Sequence, residues 1–317
     1  MPRYPVRGKT VLITGATGGI GSACARALHA RGANLALAGR RSDSLRDLAR
    51  SLGDGRVLTL DPDVTDRSAL DDAVARVVDR FGGLDVVFAN AGIAPEPPAT
   101  IATIDPDEFE RVVEVNLFGV WRTVRAALPQ IAAARGHVLV TSSVYAFVNG
   151  ALNSPYAVSK AAVEAFVRAL RVELAVHHAT AGVLYPGWVT TAMTRDVLGE
   201  DEGLSRMRES VFPAPLARPV GADVVARRVL VGIENRAPHI VVPRRWQPVV
   251  ALRGILGPLT DRVLAGRDDL GAFLRQREAA TADDPGRRSG HGPDAGPGTP
   301  RVHAPRRGGE TASTTGP

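Results

Sequence analysis

The sequence has almost no cysteine. Cys24 stands alone among 317 residues, which excludes an intrachain disulfide framework. It lies in an apolar helical stretch and reads as a small buried hydrophobe. Lysine is nearly as scarce: Lys9 and Lys160 are the only two, and arginine carries the chain to a net charge of +6. No run of about 18 apolar residues occurs, which argues against a spanning helix. The N-terminus, MPRYPVRGK, lacks the apolar core of a secretory signal. The seven histidines are scattered without ligand spacing, so no metal site is expected. A basic balance can serve nucleic acid or anionic lipid. Zinc-finger spacing, an RNA-binding sheet signature and a basic region leading into heptads are all missing, so no nucleic-acid partner is expected. With an ordinary hydrophobic share of 44%, the expectation is a soluble cytoplasmic protein.

What is present is an alternation of short apolar runs and helical stretches. Thr10 to Thr14 reads as a buried strand, followed by TGATGGIG from Thr14 to Gly21 and a helix through Ala30. A glycine turn between strand and helix makes a phosphate site: the backbone approaches the pyrophosphate, and the helix N-terminus favours its charge. A second strand, Asn34 to Gly39, ends without a side chain and runs into Arg40 and Arg41. An acidic residue there would bind the ribose 2′-hydroxyl of NAD; Arg40 instead suits a 2′-phosphate. Asp43 lies past the strand end and competes weakly. Further strands are expected at Arg56 to Leu60, Leu84 to Phe88, Val138 to Val140, Ala181 to Tyr185 and Ile240 to Val242. Helices are expected at Ser68 to Arg80, Pro106 to Ala133, from Ser154 to about His177, and Gly221 to Glu234. The alternation argues an α/β doubly wound parallel sheet, the Rossmann fold.

The chemistry concentrates in HVLVTSSVYAFVNGALNSPYAVSK, His137 to Lys160. A strand ends in Thr141, Ser142 and Ser143. Ser154 suits an N-cap and Pro155 the first helical position. Tyr156 then sits in the first turn, with Lys160 on the same face four residues later. A free phenol ionises near ~10. A nearby ammonium favours the phenolate, so Tyr156 could exchange a proton with a substrate oxygen. Taken alone, Tyr-x-x-x-Lys is a common accident; its place after a serine-ended strand gives it weight.

These motifs, in this order, resemble the classical short-chain dehydrogenase/reductases over roughly Gly8 to Pro243. Gly15, Gly19 and Gly21 fit the classical glycine pattern, while Gly15, Gly18 and Gly21 fit the extended relatives equally. Asn90, Ala91 and Gly92 decide for classical, although Ala89 replaces the usual first Asn. The resemblance implies a catalytic Ser143, thirteen residues before Tyr156, with Lys160 tuning the phenol and holding the nicotinamide ribose. It implies that Asn116 opens its helix locally and holds a relay water. It carries cofactor binding to Thr14, Gly15, Thr17, Gly19, Ile20, Gly21, Arg40, Asp63, Val64, Asn90, Ala91, Gly92, Tyr156, Lys160, Pro186, Gly187, Val189 and Thr191. An Arg at position 40 marks NADP-preferring members. Met193 to Pro219 is where the family places a substrate lid, and its apolar content suggests a lipophilic substrate. The resemblance also implies a homodimer or homotetramer through the helices that hold Asn116 and Tyr156.

The expected organisation is a catalytic domain over 1–245, an amphipathic helical extension over 246–279 and a disordered tail over 280–317. Val249, Leu252, Leu256, Leu259 and Val263 form a helical stripe with arginines around it, although Pro258 should kink that helix. Peripheral membrane contact, a partner helix or packing on the body each suit such a face. The functional expectation is an NADP-dependent reductase of a carbonyl, or dehydrogenase of a secondary alcohol, of small-molecule size. The alternative is a non-catalytic NADP-binding regulator, in which the Tyr or Lys is usually lost.

Overall fold

The computed structural model describes residues 4–191 and 202–282. The expected tail, from residue 283 on, and residues 192–201 of the expected lid lie outside them. The chain runs β1 (Thr10–Thr14), α1 (Gly19–Ala30), β2 (Asn34–Ala38), α2 (Ser42–Leu52), β3 (Val57–Leu60), α3 (Arg67–Phe81) and β4 (Val86–Ala89). Next come α4 (Pro106–Val113), a π-helical turn (Glu114–Phe118), α5 (Gly119–Ala133), β5 (His137–Thr141), α6 (Ser154–Glu173) and β6 (Thr180–Pro186). A two-residue strand β7 (Val189–Thr190), helix α7 (Glu202–Val211), one helical turn α8 (Ala214–Ala217), β8 (Val220–Gly221), α9 (Ala222–Glu234) and β9 (His239–Val242) follow. Helices α10 (Gln247–Ala265) and α11 (Asp268–Ala282) end the described chain.

Seven parallel strands form one sheet in the order β3-β2-β1-β4-β5-β6-β9. Helices cover both faces, so strands such as TVLIT and HVLVT are buried at every residue rather than alternating. One core gathers α3, α5 and α6, and the other gathers α1, α2 and α9. The strand order reverses between β1 and β4, and ligands of such sheets bind outside the carboxyl ends at that switch point. Side chains tie those ends together. The backbone N–H groups of Asn90 and Ala91 donate to Thr14 Oγ1 at 3.0 and 3.1 Å, and Thr141 Oγ1 donates to Asn90 Oδ1 at 3.0 Å.

Two expectations change. Helix α6 starts at Ser154 with Asn153 in the capping position, so Ser154 is the first helical residue rather than the cap. The single helix expected over 106–133 is two helices joined by the π turn. Helix α10 runs on through Pro258, which is exposed. The stripe on α10 also divides. Val249 and Val250 pack on the core, while Leu252 (51%), Ile255 (70%), Leu259 (56%) and Val263 (59%) face outward. The inner side is anchored: Arg253 pairs with the buried Glu164 of α6, and Asn149 Nδ2 donates to Asp261 Oδ1 at 3.1 Å. Among the described residues no helix is long and apolar enough to cross a membrane.

Candidate active site

A cleft of about 590 Å³ opens at the carboxyl ends of β1, β2, β4 and β5. Thr14, Gly15, Thr17, Gly19 and Ile20 line one wall, Arg40, Asp63 and Val64 another, and Asn90, Ala91, Gly92, Tyr156, Lys160, Pro186 and Thr191 the rest. The glycines are required by close approach. Gly15 has φ +63, and a Cβ there would stand 2.9 Å from the Ala91 backbone. A Cβ on Gly19 would lie 2.6 Å from Thr191 Cγ2. These bare backbone turns at the start of α1 suit a pyrophosphate.

Three expected cofactor residues do not reach the cleft surface. Gly21 is buried behind the loop, where a Cβ would collide with the Gly15 carbonyl. Gly187 lies against the Trp246 indole, which a Cβ would approach to 2.6 Å. Val189 is 3% exposed and belongs to the core on the α1 side of the sheet.

At the end of β2 the space beside Gly39 is open, with no atom nearer than 3.9 Å to an added Cβ. Arg40 and Arg41 both line this end of the cleft, and Arg41 Nη2 donates to Thr17 Oγ1 at 3.3 Å. Arg41 was not singled out from the sequence; the arginine doublet was its only signal.

The two serines at the end of β5 divide their work. Ser142 Oγ donates to the Lys160 carbonyl at 2.7 Å and so pins α6 to β5. Ser143 caps the short turn Val144–Ala146 by accepting from the Tyr145 N–H at 3.2 Å. Lys160 is 2% exposed; its ammonium donates to the Thr141 carbonyl at 3.0 Å and lies 5.3 Å from the Tyr156 ring centre. Burial pushes that ammonium down to about 8. Burial also raises the Tyr156 phenol above its ordinary value, with the Ser143 hydroxyl working the other way. The phenol is thus not lowered overall, because the loss of solvent outweighs the stabilising contact.

Asn116 sits in the π turn, fully buried. Its amide makes a closed pair with Ile93, accepting from the N–H at 2.8 Å and donating to the C=O at 2.9 Å, and also donates to Ser159 Oγ at 3.1 Å. A Cβ on Gly92 would stand 3.1 Å from Asn116 Oδ1 and 3.3 Å from Lys160 Nζ. Gly92 therefore leaves room for the Asn116 side chain behind the cleft wall and for the Lys160 side chain in it. Single π turns often mark functional sites.

The short chain dehydrogenase model matches residues 9–202. The chain belongs to the short-chain dehydrogenase/reductase family. Dehydrogenase/reductase SDR family member 7B of Bos taurus is 32% identical over 275 residues, covering 84% of this chain and 83% of that protein. An alcohol dehydrogenase of Thermococcus sibiricus, solved with 5-hydroxy-NADP, is 28% identical with a TM-score of 0.63, covering 74% of this chain and 95% of that one. A family member from Burkholderia phymatum, solved with NAD, shares the fold at 24% identity and a TM-score of 0.69, covering 79% of this chain and 94% of that one. The chain is accordingly an oxidoreductase of a family that works with nicotinamide cofactors.

In this dehydrogenase/reductase a second cavity, of about 70 Å³, lies beyond Tyr156. Tyr145 packs edge-on to Tyr156 at 5.8 Å and to Trp188 at 5.8 Å, and Phe212 packs edge-on between Trp188 at 5.9 Å and the fully buried Trp246 at 5.8 Å. Leu264 of α10 and Leu270 of α11 close the far wall. The C-terminal extension therefore builds part of this cavity. Tyr145 and Arg208, which also lines it, carried no motif in the sequence.

Proposed function

We propose that this chain interconverts a lipophilic ketone and its secondary alcohol, using NADP(H). The observation that carries this reading is that Tyr156 and Lys160 share the cleft wall, with the Lys160 ammonium 5.3 Å from the Tyr156 ring centre. The nicotinamide, when bound, exchanges a hydride with the carbonyl carbon. In reduction, Tyr156 gives its phenolic proton to the carbonyl oxygen, and in oxidation it takes that proton back. Ser143 donates to the same oxygen and holds it in place. Lys160 supplies positive charge beside the phenolate left behind and would hold the nicotinamide ribose. Asn116 anchors the water through which the phenol is reprotonated. Thr14, Gly15, Thr17, Gly19 and Ile20 would hold the pyrophosphate and Asp63 and Val64 the adenine. Arg40, with Arg41 beside it, would hold a 2′-phosphate, and Pro186 and Thr191 the nicotinamide end. The aromatic wall of the inner cavity supports a lipophilic substrate.

The test is product formation from a panel of ketones with NADPH deuterated at the transferable position. Deuterium on the carbinol carbon is the expected result, and cofactor binding without any labelled alcohol would overturn the reading. A cytoplasmic homo-oligomer belongs to the same proposal, supported by the exposure of Phe118 and Val158 on the elements that hold Asn116 and Tyr156. A peripheral membrane contact rests on the outer stripe of α10. Light scattering tests the oligomer, and flotation with anionic liposomes tests the membrane contact; a monomer and unbound protein, respectively, would refute them.

A further inference from the structure

The inner cavity is largely apolar. Tyr145, Trp188, Phe212 and Leu270 wall it, Asn149 and Asn153 add side-chain amides, and among the described residues Arg208 of α7 is its one charged lining residue. The Arg208 side chain is only 16% exposed, and its Nε is buried with no hydrogen-bond partner. A guanidinium taken out of water among apolar groups costs stability unless a countercharge and hydrogen bonds compensate it. Among the described residues its acidic contact is Glu209, the next residue, at 3.2 Å and 66% exposed. A solvent-screened pair of that kind contributes little. The guanidinium carbon lies 5.4 Å from the Trp188 ring centre. That stacking steadies the cation without using its N–H groups.

The path from the proposed proton donor to this cation is a line of rings. Tyr156 meets Tyr145, Tyr145 meets Trp188, and Trp188 meets Arg208, each step being less than 6 Å. A substrate whose carbonyl sits at Tyr156 and whose apolar body follows these rings would bring its far end to the guanidinium. Resting on the hydride-transfer reading above, we propose that Arg208 binds an oxyanion at the far end of the substrate. The preferred substrate is then an apolar oxo acid, or the matching hydroxy acid, rather than a neutral ketone. A carboxylate and a phosphate monoester share the chemistry that a guanidinium fork recognises.

The experiment has one arm with chemistry and one without. The first compares kcat/KM, with NADPH, for a medium-chain oxo acid whose ketone lies next to the terminal methyl and for its methyl ester. The acid is expected to be preferred by about tenfold or more, the scale of one charge-assisted hydrogen bond. Arg208→Met should bring the acid-to-ester ratio near unity, and Arg208→Lys should restore part of it. A merely structural role would lower both substrates together and leave the ratio unchanged. The second arm is calorimetric binding of octanoate, octyl phosphate and octanol to the full chain. Tighter binding of either anion than of the alcohol, lost in Arg208→Met, supports the proposal, and the stronger anion identifies the group. A wild-type ratio at or below unity, or a preference that survives Arg208→Met, overturns it. If neither ketone turns over, the hydride-transfer reading fails, and the binding arm alone decides: octanol bound as tightly as both anions overturns the proposal.

Discussion

Arg40 and Arg41 show what a single residue can and cannot declare. The bare strand end at Gly39 and the guanidinium after it were legible, because NAD needs an acidic side chain there and a 2′-phosphate needs a cation. That Arg41 reaches the Thr17 hydroxyl at 3.3 Å was not legible, because the direction of an exposed side chain leaves no trace in sequence. A charge-assisted phosphate contact is worth about 1.5–3 kcal/mol, or roughly tenfold to over a hundredfold in affinity. Arg40→Ala should therefore weaken NADPH binding by that factor and NADH binding much less, with the double variant at Arg40 and Arg41 losing more. Equal losses for the two cofactors would show that these residues do not read the phosphate. Lys160 makes a second prediction. Burial holds its ammonium at about 8, against an ordinary value of 10.5. Between those pH values the unfolded chain keeps a proton that the folded chain has released, so stability rises with pH across the window, and the buried charge costs stability below it. Lys160→Met should raise the thermal midpoint of the cofactor-free protein at pH 7 and flatten the rise between pH 8 and 10.5. A lowered midpoint would show that the hydrogen bond to Thr141 outweighs the cost of burying the charge.

At the scale of elements, buried strands were easier to read than helix ends. Every strand of the main sheet was expected within two residues of its place, because continuous apolar runs are what a doubly covered sheet demands. The break in the helix over 106–133 was not visible as periodicity. Asn116 among apolar neighbours was its signal, and the closed amide pair with Ile93 is its physical basis. Helix α10 is the instructive miss. Its apolar spacing suggested one face, yet Val249 and Val250 turn inward while Leu252, Ile255, Leu259 and Val263 turn out. Periodicity cannot assign two apolar faces, and the second helix, α11, carried no motif. Trp246 joins this extension to the body, with no exposed surface and its indole against Gly187 and Phe212. Trp246→Ala should cost about 3–5 kcal/mol of stability, the range for deleting a buried large aromatic. It should also loosen the inner cavity enough to raise KM. A denaturant midpoint within error of wild type would mean that the extension is not part of the cooperative unit.

Across the whole molecule, the sheet brings the ends of β1, β2, β4 and β5 to one crevice, and the C-terminal helices close the cavity behind Tyr156. The cleft at the glycine turns was largely legible, since it is built from backbone turns with fixed glycine requirements. The inner cavity was not, since it is assembled from Tyr145, Trp188, α7 and the extension, which meet only after folding. The central claim is that the Tyr156 phenol exchanges the proton that accompanies hydride transfer. The most direct measurement is single-turnover reduction of a ketone by Tyr156→Phe at saturating NADPH, with cofactor affinity measured on the same protein. The account predicts NADPH binding close to wild type and a rate lower by roughly 10²–10⁴, the contribution of a positioned general acid. Wild-type-like turnover with normal cofactor binding would contradict it.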